Sequence, residues 1–285
     1  MGDEVGYFFG ALAPSTGYID RFEVQPYFKG FYISLPSRTA PDTIAPAPNL
    51  QKMFSIFDGY SEWVDIMGVP TVGKLNKRIE QGDASELIQI AEALHEKRLA
   101  RIADTIAEAN RERGLRLVLI SGPSSSGKTT FSKRLGVQLR VLGLDPVLIA
   151  LDDYFVDRDK TPLDESGKPD YEALEAIDLA TLNDHLRQLA EGRSVEIPRY
   201  DFISGRRQWH EKPLQLSERS ILIMEGIHAL NPDLTPGIAD GQKFKIYISC
   251  FTSVAMDNFS RIPTTDNRLL RRTIRDNATR GNDAL

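Results

Sequence analysis

A short run in the middle of this sequence carries the residue types that handle phosphate. Gly122, Gly127, Lys128 and Thr129 stand in the spacing Gly-x-x-x-x-Gly-Lys-Thr within LRLVLISGPSSSGKTT, residues 115–130. The glycines let backbone N–H groups curl around phosphate oxygens, and a helix starting at the lysine adds the positive end of its dipole. The Lys128 ammonium can reach the β- and γ-phosphates, and the Thr129 hydroxyl suits Mg²⁺. Gly122 to Thr130, with Pro123, Ser124, Ser125 and Ser126 between the glycines, are therefore expected to bind a nucleoside triphosphate. A flexible serine-glycine linker would not explain the apolar run Leu117–Ile120 before the loop or the amphipathic stretch after it.

Three carboxylates and a row of arginines have positions that chemistry could use. Val147–Leu151 is a second apolar run and closes on Asp152-Asp153-Tyr154-Phe155. A third, Ile221–Met224, closes on Glu225. Ligands of open α/β sheets bind outside the carboxyl ends of strands, so acids there are placed to take a proton or hold a metal. The competing reading of Asp152 and Asp153 is a turn cap. Arg268, Arg271, Arg272 and Arg275 recur at i, i+3, i+4 and i+7, on one face of a helix. A solvated face would mix the signs, whereas a cationic stripe suits phosphate oxygens bound by guanidinium forks.

The elements that must hold these groups can be read from periodicity. Phe131, Leu135, Leu139 and Leu142 line a helix ended by Gly143, and Phe244–Ser249 reads as a fourth strand. Asp178 caps a helix carrying Leu179, Leu182, Leu186 and Leu189. Residues 156–177 read as a loop over the site, and IPRYDF with Gly205-Arg206-Arg207 reads as a hairpin. Upstream, Asp83–Arg113 has helical spacing and Gly114 suits its cap. The predicted organisation is a β-rich segment with a proline-rich linker at 1–49, a helical connector at 50–114, and an α/β phosphate-loop domain at 115–285. The aromatic residues of the first segment are expected to build a small β-sheet core rather than stack on bases.

Composition narrows the class. A net charge of −5 argues against a global nucleic-acid footprint, and a single cysteine, Cys250, excludes intrachain disulfides and cysteine-rich zinc sites. With no membrane-length apolar run and Asp3 and Glu4 at the start, a cytoplasmic setting without membrane association is expected.

Taken together, GPSSSGKTT, LDDYF, IPRYDF, ILIMEGIHAL and RLLRRTIRD with Arg280-Gly281 resemble the uridine kinase and phosphoribulokinase family. The resemblance implies a P-loop kinase fold: a five-stranded parallel sheet between helices, with an arginine-rich lid and a small α+β region ahead of it. It implies ATP and Mg²⁺, with Thr129, Asp152 and Glu225 near the metal. It makes Asp152 the base for the acceptor hydroxyl, with Lys128, Arg272 and Arg275 in catalysis and Arg268 and Arg271 on the nucleotide. Asp153, Tyr154, Glu172, Tyr200 and Arg206 fall on the acceptor side. Gly205 stands where the uridine kinases carry a base-reading His, and Glu172 where they carry an Asp that grips the ribose. Weak discrimination between uridine and cytidine, or a different hydroxylated acceptor, is expected from that.

A homo-oligomer is expected, and the resemblance implies further structure after the lid. PSTGYIDRFEVQPYFKGFYISLP is similar to the accessory domain beside threonyl-tRNA synthetase catalytic domains, but without its His and Cys metal ligands, so neither zinc nor editing is expected. Two other functions compete. A GTPase switch lacks a guanine-reading Asn-Lys-x-Asp, because Asn76-Lys77 precedes the phosphate loop. An ATP-binding, RNA-interacting or regulatory protein would use the synthetase-like segment and the arginines, against the net acidity.

Overall fold

The computed structural model describes residues 10–46, 49–252, 254–258 and 260–280. The chain divides into two compact units, Met1–Leu87 with Ser253–Ile262, and Ile88–Thr252 with Pro263–Leu285.

In the first unit, β1 (Glu23–Tyr27) and β2 (Gly30–Ser34) pair antiparallel around a turn at Phe28-Lys29. They are followed by α1 (Gln51–Met67) and α2 (Val72–Glu80), the latter capped by the Thr71 side chain accepting from the Lys74 N–H. Tyr27 and Phe28 pack on Phe54, with centroids 5.8 and 4.4 Å away, and the Tyr27 hydroxyl accepts from the Leu50 N–H. Among the described residues the expected aromatic core is confined to this cluster. Two strands cannot enclose both of their faces, and Phe22, Phe31 and Ile33 stay largely exposed.

The division of the chain falls inside α3 (Ala84–Arg113), which matches the helix read from the periodicity. In the second unit, β3 (Leu117–Ser121), β4 (Asp145–Ala150), β7 (Ser220–Glu225) and β8 (Lys243–Tyr247) form a parallel sheet in the order β4-β7-β3-β8. Alternate residues of β3 enter two different cores. Val118 and Ile120 join Leu99, Ile106, Leu135 and Leu139 of α3 and α4 (Lys128–Val141). Leu117 and Leu119 join Leu182 and Leu186 of α5 (Leu179–Ala190). A strand covered on both faces needs a continuous apolar run, which is why these segments stood out in the sequence.

The sheet has four strands among the described residues, not the expected five. The IPRYDF segment forms its own antiparallel hairpin, β5 (Pro198–Asp201) with β6 (Arg206–Trp209). Arg199 and Asp201 interrupt its apolar pattern, and a doubly covered strand would have to bury them. The last element among the described residues is α6 (Thr264–Arg280). Asn267 holds its first turn by donating to Cys250 O and Thr252 Oγ1, both at 2.8 Å. No helix among the described residues is long and apolar enough to cross a membrane.

Candidate active site

Pairing of β3 with β7 sets Ile120 beside Glu225, and pairing of β4 with β7 sets Ala150 beside the same residue. The phosphate loop, the Asp152 turn and Glu225 therefore emerge at one edge of the sheet, at its carboxyl ends. The loop lies tight against its neighbours. A Cβ added to Gly122 would fall 2.2 Å from the Ile248 carbonyl oxygen, so only glycine fits there. Ser125 takes a left-handed φ of 62°, a strained setting for a side-chain-bearing residue. The Ser125 and Ser126 hydroxyls are buried and make no hydrogen bond within the protein. Gly127 ends the loop and begins α4, whose first N–H groups face the same concavity. Orphaned hydroxyls, strained backbone and a helix N-terminus together fit a polyphosphate.

Lys128 Nζ donates to the Gly122 and Pro123 carbonyls at 2.9 and 3.3 Å. Burial lowers its pKa, Glu225 and Asp152 oppose that, and Arg268 and Arg275 reinforce it. Thr129 Oγ1 donates to Glu225 Oε1 at 2.5 Å. Above the loop, Arg268 Nε and Arg271 Nε of α6 donate to the Ser124 and Ser125 carbonyls at 3.1 and 3.2 Å. A cleft of about 200 Å³ lies between them, lined by Ser124, Ser125, Thr265, Arg268, Leu269 and Arg272.

Opposite Lys128, a single 3-10 turn at Leu151–Tyr154 sorts its residues by face. Leu151 and Tyr154 are buried, while Asp152 opens to the cleft and Asp153 is half-buried. The surrounding protein still raises the Asp152 carboxyl above the usual range, opposed by Lys128 and His228. Asp153 and Glu225 are raised too, mainly by burial, with the Tyr200 N–H and Thr129 hydroxyl respectively opposing the shift. Glu225 and Asp152 thus both act on the Lys128 ammonium, and each is held above its ordinary range mainly by burial.

Two acceptor-side residues read from the sequence need correction. Tyr154 is 1% exposed, and its hydroxyl meets His185 Nδ1 at 3.1 Å. The turn that directs Asp152 outward sends Tyr154 into the core, so it is a packing residue. Arg206 is exposed at the start of β6, and successive strand residues face opposite ways. It is Arg207 that turns inward, to Asp178 at 2.9 Å and to the carbonyls of Tyr154 and Phe155 at 3.2 and 3.0 Å. Arg207 therefore clamps the segment that carries the two aspartates.

Tyr200 lies where the acceptor side was expected, but it is 4% exposed, and burial pushes its phenol up to about 12. Its N–H reaches Asp153 Oδ1 at 3.4 Å. Glu172 is exposed, and its backbone carbonyl accepts from His228 Nε2 at 2.8 Å. Sequence reasoning gave His228 no role; its place three residues after Glu225, at a strand end, was the available signal. Arg158, whose guanidinium donates to Tyr171 OH and Phe202 O, carried no signal in the sequence at all.

Strand, phosphate loop and helix, with acids closing the two neighbouring strands and an arginine helix over the loop, define a P-loop kinase. The chain belongs to the phosphoribulokinase and uridine kinase family, whose model matches residues 117–284. A uridine kinase from Macrococcus caseolyticus is 30% identical over 165 residues, covering 58% of this chain and 70% of the relative. A uridine kinase from Clostridium botulinum is 30% identical over 168 residues with the same coverage. The solved structure of a possible uridine kinase from Bacillus stearothermophilus is 25% identical, covers 51% of this chain and 78% of its own, and superposes with a TM-score of 0.40.

The family implies a divalent metal with the nucleotide, and the residues fit one. Thr129, Glu225 and Asp152 supply only oxygen donors, which suits Mg²⁺. Among the described residues no three acidic, His or Cys groups cluster closely enough to hold a metal alone. Mg²⁺ usually binds through one or two carboxylates plus substrate phosphates, so the set is consistent with an ion shared with a nucleotide.

Proposed function

We propose that this kinase transfers the γ-phosphoryl group of ATP to the 5′-hydroxyl of a pyrimidine nucleoside. The observation that carries the reading is the register that brings the Asp152 turn, Glu225 and the phosphate loop to the carboxyl edge of one sheet.

The backbone of residues 122–127 and the N-terminus of α4 cradle the phosphates. Lys128, Arg268, Arg271, Arg272 and Arg275 draw charge off the transferring group, which is the main catalytic contribution a protein makes to phosphoryl transfer. Thr129, Glu225 and Asp152 would hold Mg²⁺, which when bound neutralises the charge on the phosphate oxygens. Asp152 accepts the proton of the acceptor hydroxyl, and its raised pKa makes it a better base than an ordinary aspartate. The relatives named uridine kinase support a nucleoside as the acceptor.

The test is ADP release with a panel of uridine, cytidine, their deoxy forms, ribose and pantothenate. Turnover with a pyrimidine nucleoside well above the others supports the proposal. Phosphorylation of only non-nucleoside alcohols would overturn it.

A further inference from the structure

Gly205 has a φ of +68°, and a Cβ built on it falls 2.6 Å from Arg158 Nε and 2.7 Å from its Cζ. The arginine therefore fills the space that a side chain at 205 would take. The strands of the β5–β6 hairpin and the loop before it lock this arrangement. The Arg158 N–H donates to the Gly205 carbonyl at 2.9 Å, its Nε to Tyr171 OH at 3.2 Å, and its Nη2 to Phe202 O at 2.6 Å. These bonds use Nε and Nη2 of an exposed, donor-only fork, which also acts on the Tyr200 phenol.

The fork borders a ring cluster. Phe155, Tyr171, Tyr200 and Phe202 have centroids 5.1 to 6.4 Å apart. Phe202 is 56% exposed and Tyr171 half-buried, so the cluster offers aromatic surface beside Arg158. It is also tied to the chemistry. The Tyr200 N–H meets Asp153, and Glu172, next to Tyr171, is held by His228, which in turn acts on Asp152. The ring cluster is thus joined to Asp153 by a hydrogen bond and to Asp152 through the charge of His228.

We propose that Arg158 reads the base of the acceptor and selects uracil over cytosine. The inference rests on the nucleoside reading above. A planar ring suits Phe202 and Tyr171, whereas a small acyclic anion would use the fork and waste the rings. Among pyrimidines, uracil presents a second exocyclic oxygen where cytosine presents an amine. A guanidinium has no acceptor, so it pairs with the oxygen and meets the amine donor to donor. This reverses the weak discrimination expected from the missing side chain at 205.

The experiment measures kcat/KM for uridine and cytidine at saturating ATP, on the full chain and on Arg158→Ala and Arg158→Lys. The wild type should prefer uridine by about tenfold or more, since a site that pairs a polar edge rejects the analogue lacking it. Arg158→Ala should bring the ratio close to one without changing KM for ATP. Arg158→Lys keeps the charge but not the fork, and should restore only part of the ratio; it also stands in if the alanine variant fails to fold. Equal use of both nucleosides by the wild type, or loss of both rates in the same proportion in the variants, would overturn the assignment of Arg158. Turnover of no nucleoside at all would instead remove the nucleoside reading, and this inference with it.

Discussion

The two walls of the cleft are made of different material. On the phosphate side, recognition is mostly backbone: a glycine packed against a carbonyl, a strained serine, a helix N-terminus, and arginines bonded to the loop's own carbonyls. On the proposed acceptor side it is mostly side chains drawn from distant places. Arg158 and Phe202 are 44 residues apart in the chain, and Glu172 and His228 are 56 apart. Backbone recognition demands one local conformation and therefore one local pattern of residues. Side-chain recognition demands only that the right groups meet, and many sequences satisfy that.

The largest effect should come from the phosphate wall. Lys128→Ala removes a cation from a cleft that holds three carboxylates and should lower turnover by about 10³-fold. Thermal stability should change by only a few degrees, because the side chain bonds to loop carbonyls rather than packing in the core. Near-normal turnover would break the comparison at its strongest point.

Next comes the base. Asp152→Asn should lower kcat by about 10² to 10³-fold, far more than it raises KM for ATP, while Asp153→Asn is milder. Stability should move the other way. Burial raises the Asp152 pKa, so its ionised form costs stability. The cost is absent below the ordinary aspartate value near pH 4 and fully present above the raised one. Asp152→Asn should therefore raise the melting temperature at neutral pH, with the gain fading as pH falls toward about 4. A lower melting temperature at pH 7 would show that the Lys128 pairing outweighs the burial. If the kinetic effects of Asp152→Asn and Asp153→Asn are reversed, the base is Asp153.

How much of each wall was legible follows from the same contrast. The phosphate loop, both acidic strand ends and the arginine helix were readable because each is a contiguous pattern attached to a buried strand or one helical face. The IPRYDF hairpin and four sheet strands were legible in the residue pattern; the fifth strand came only from the family resemblance, and the described residues do not contain it. Tyr154 and Arg206 were misplaced by a single-residue choice of face, which a 3-10 turn and a strand decide and composition does not. Arg158 carried no sequence signal, since its bonds to Gly205, Tyr171 and Phe202 join distant parts of the chain.

Arg271→Ala should have a smaller effect, about tenfold in turnover, as one of several guanidiniums over the loop. Little stability should be lost, because Arg271 is exposed. Hydrogen exchange in α6 should slow when an ATP analogue binds. Identical exchange with and without the analogue would mean that the helix is a fixed wall rather than a lid.

The smallest effect should come from His228, which joins the walls. A carbonyl oxygen can only accept, so the contact with Glu172 places a proton on Nε2. His228→Ala removes two things at once: the tether on the Glu172 segment, and a group that lowers the Asp152 pKa. The first should raise KM for the acceptor about threefold, within the range of a single exposed hydrogen bond. The second should move the acid limb of the kcat profile to higher pH, because the carboxylate loses a favourable neighbour. His228→Gln separates the two, since its amide can still donate to the carbonyl but carries no charge. It should recover the KM and leave the acid limb displaced. A pH profile unchanged in both variants, with KM also unchanged, would show that His228 bridges the two walls in space without coupling them.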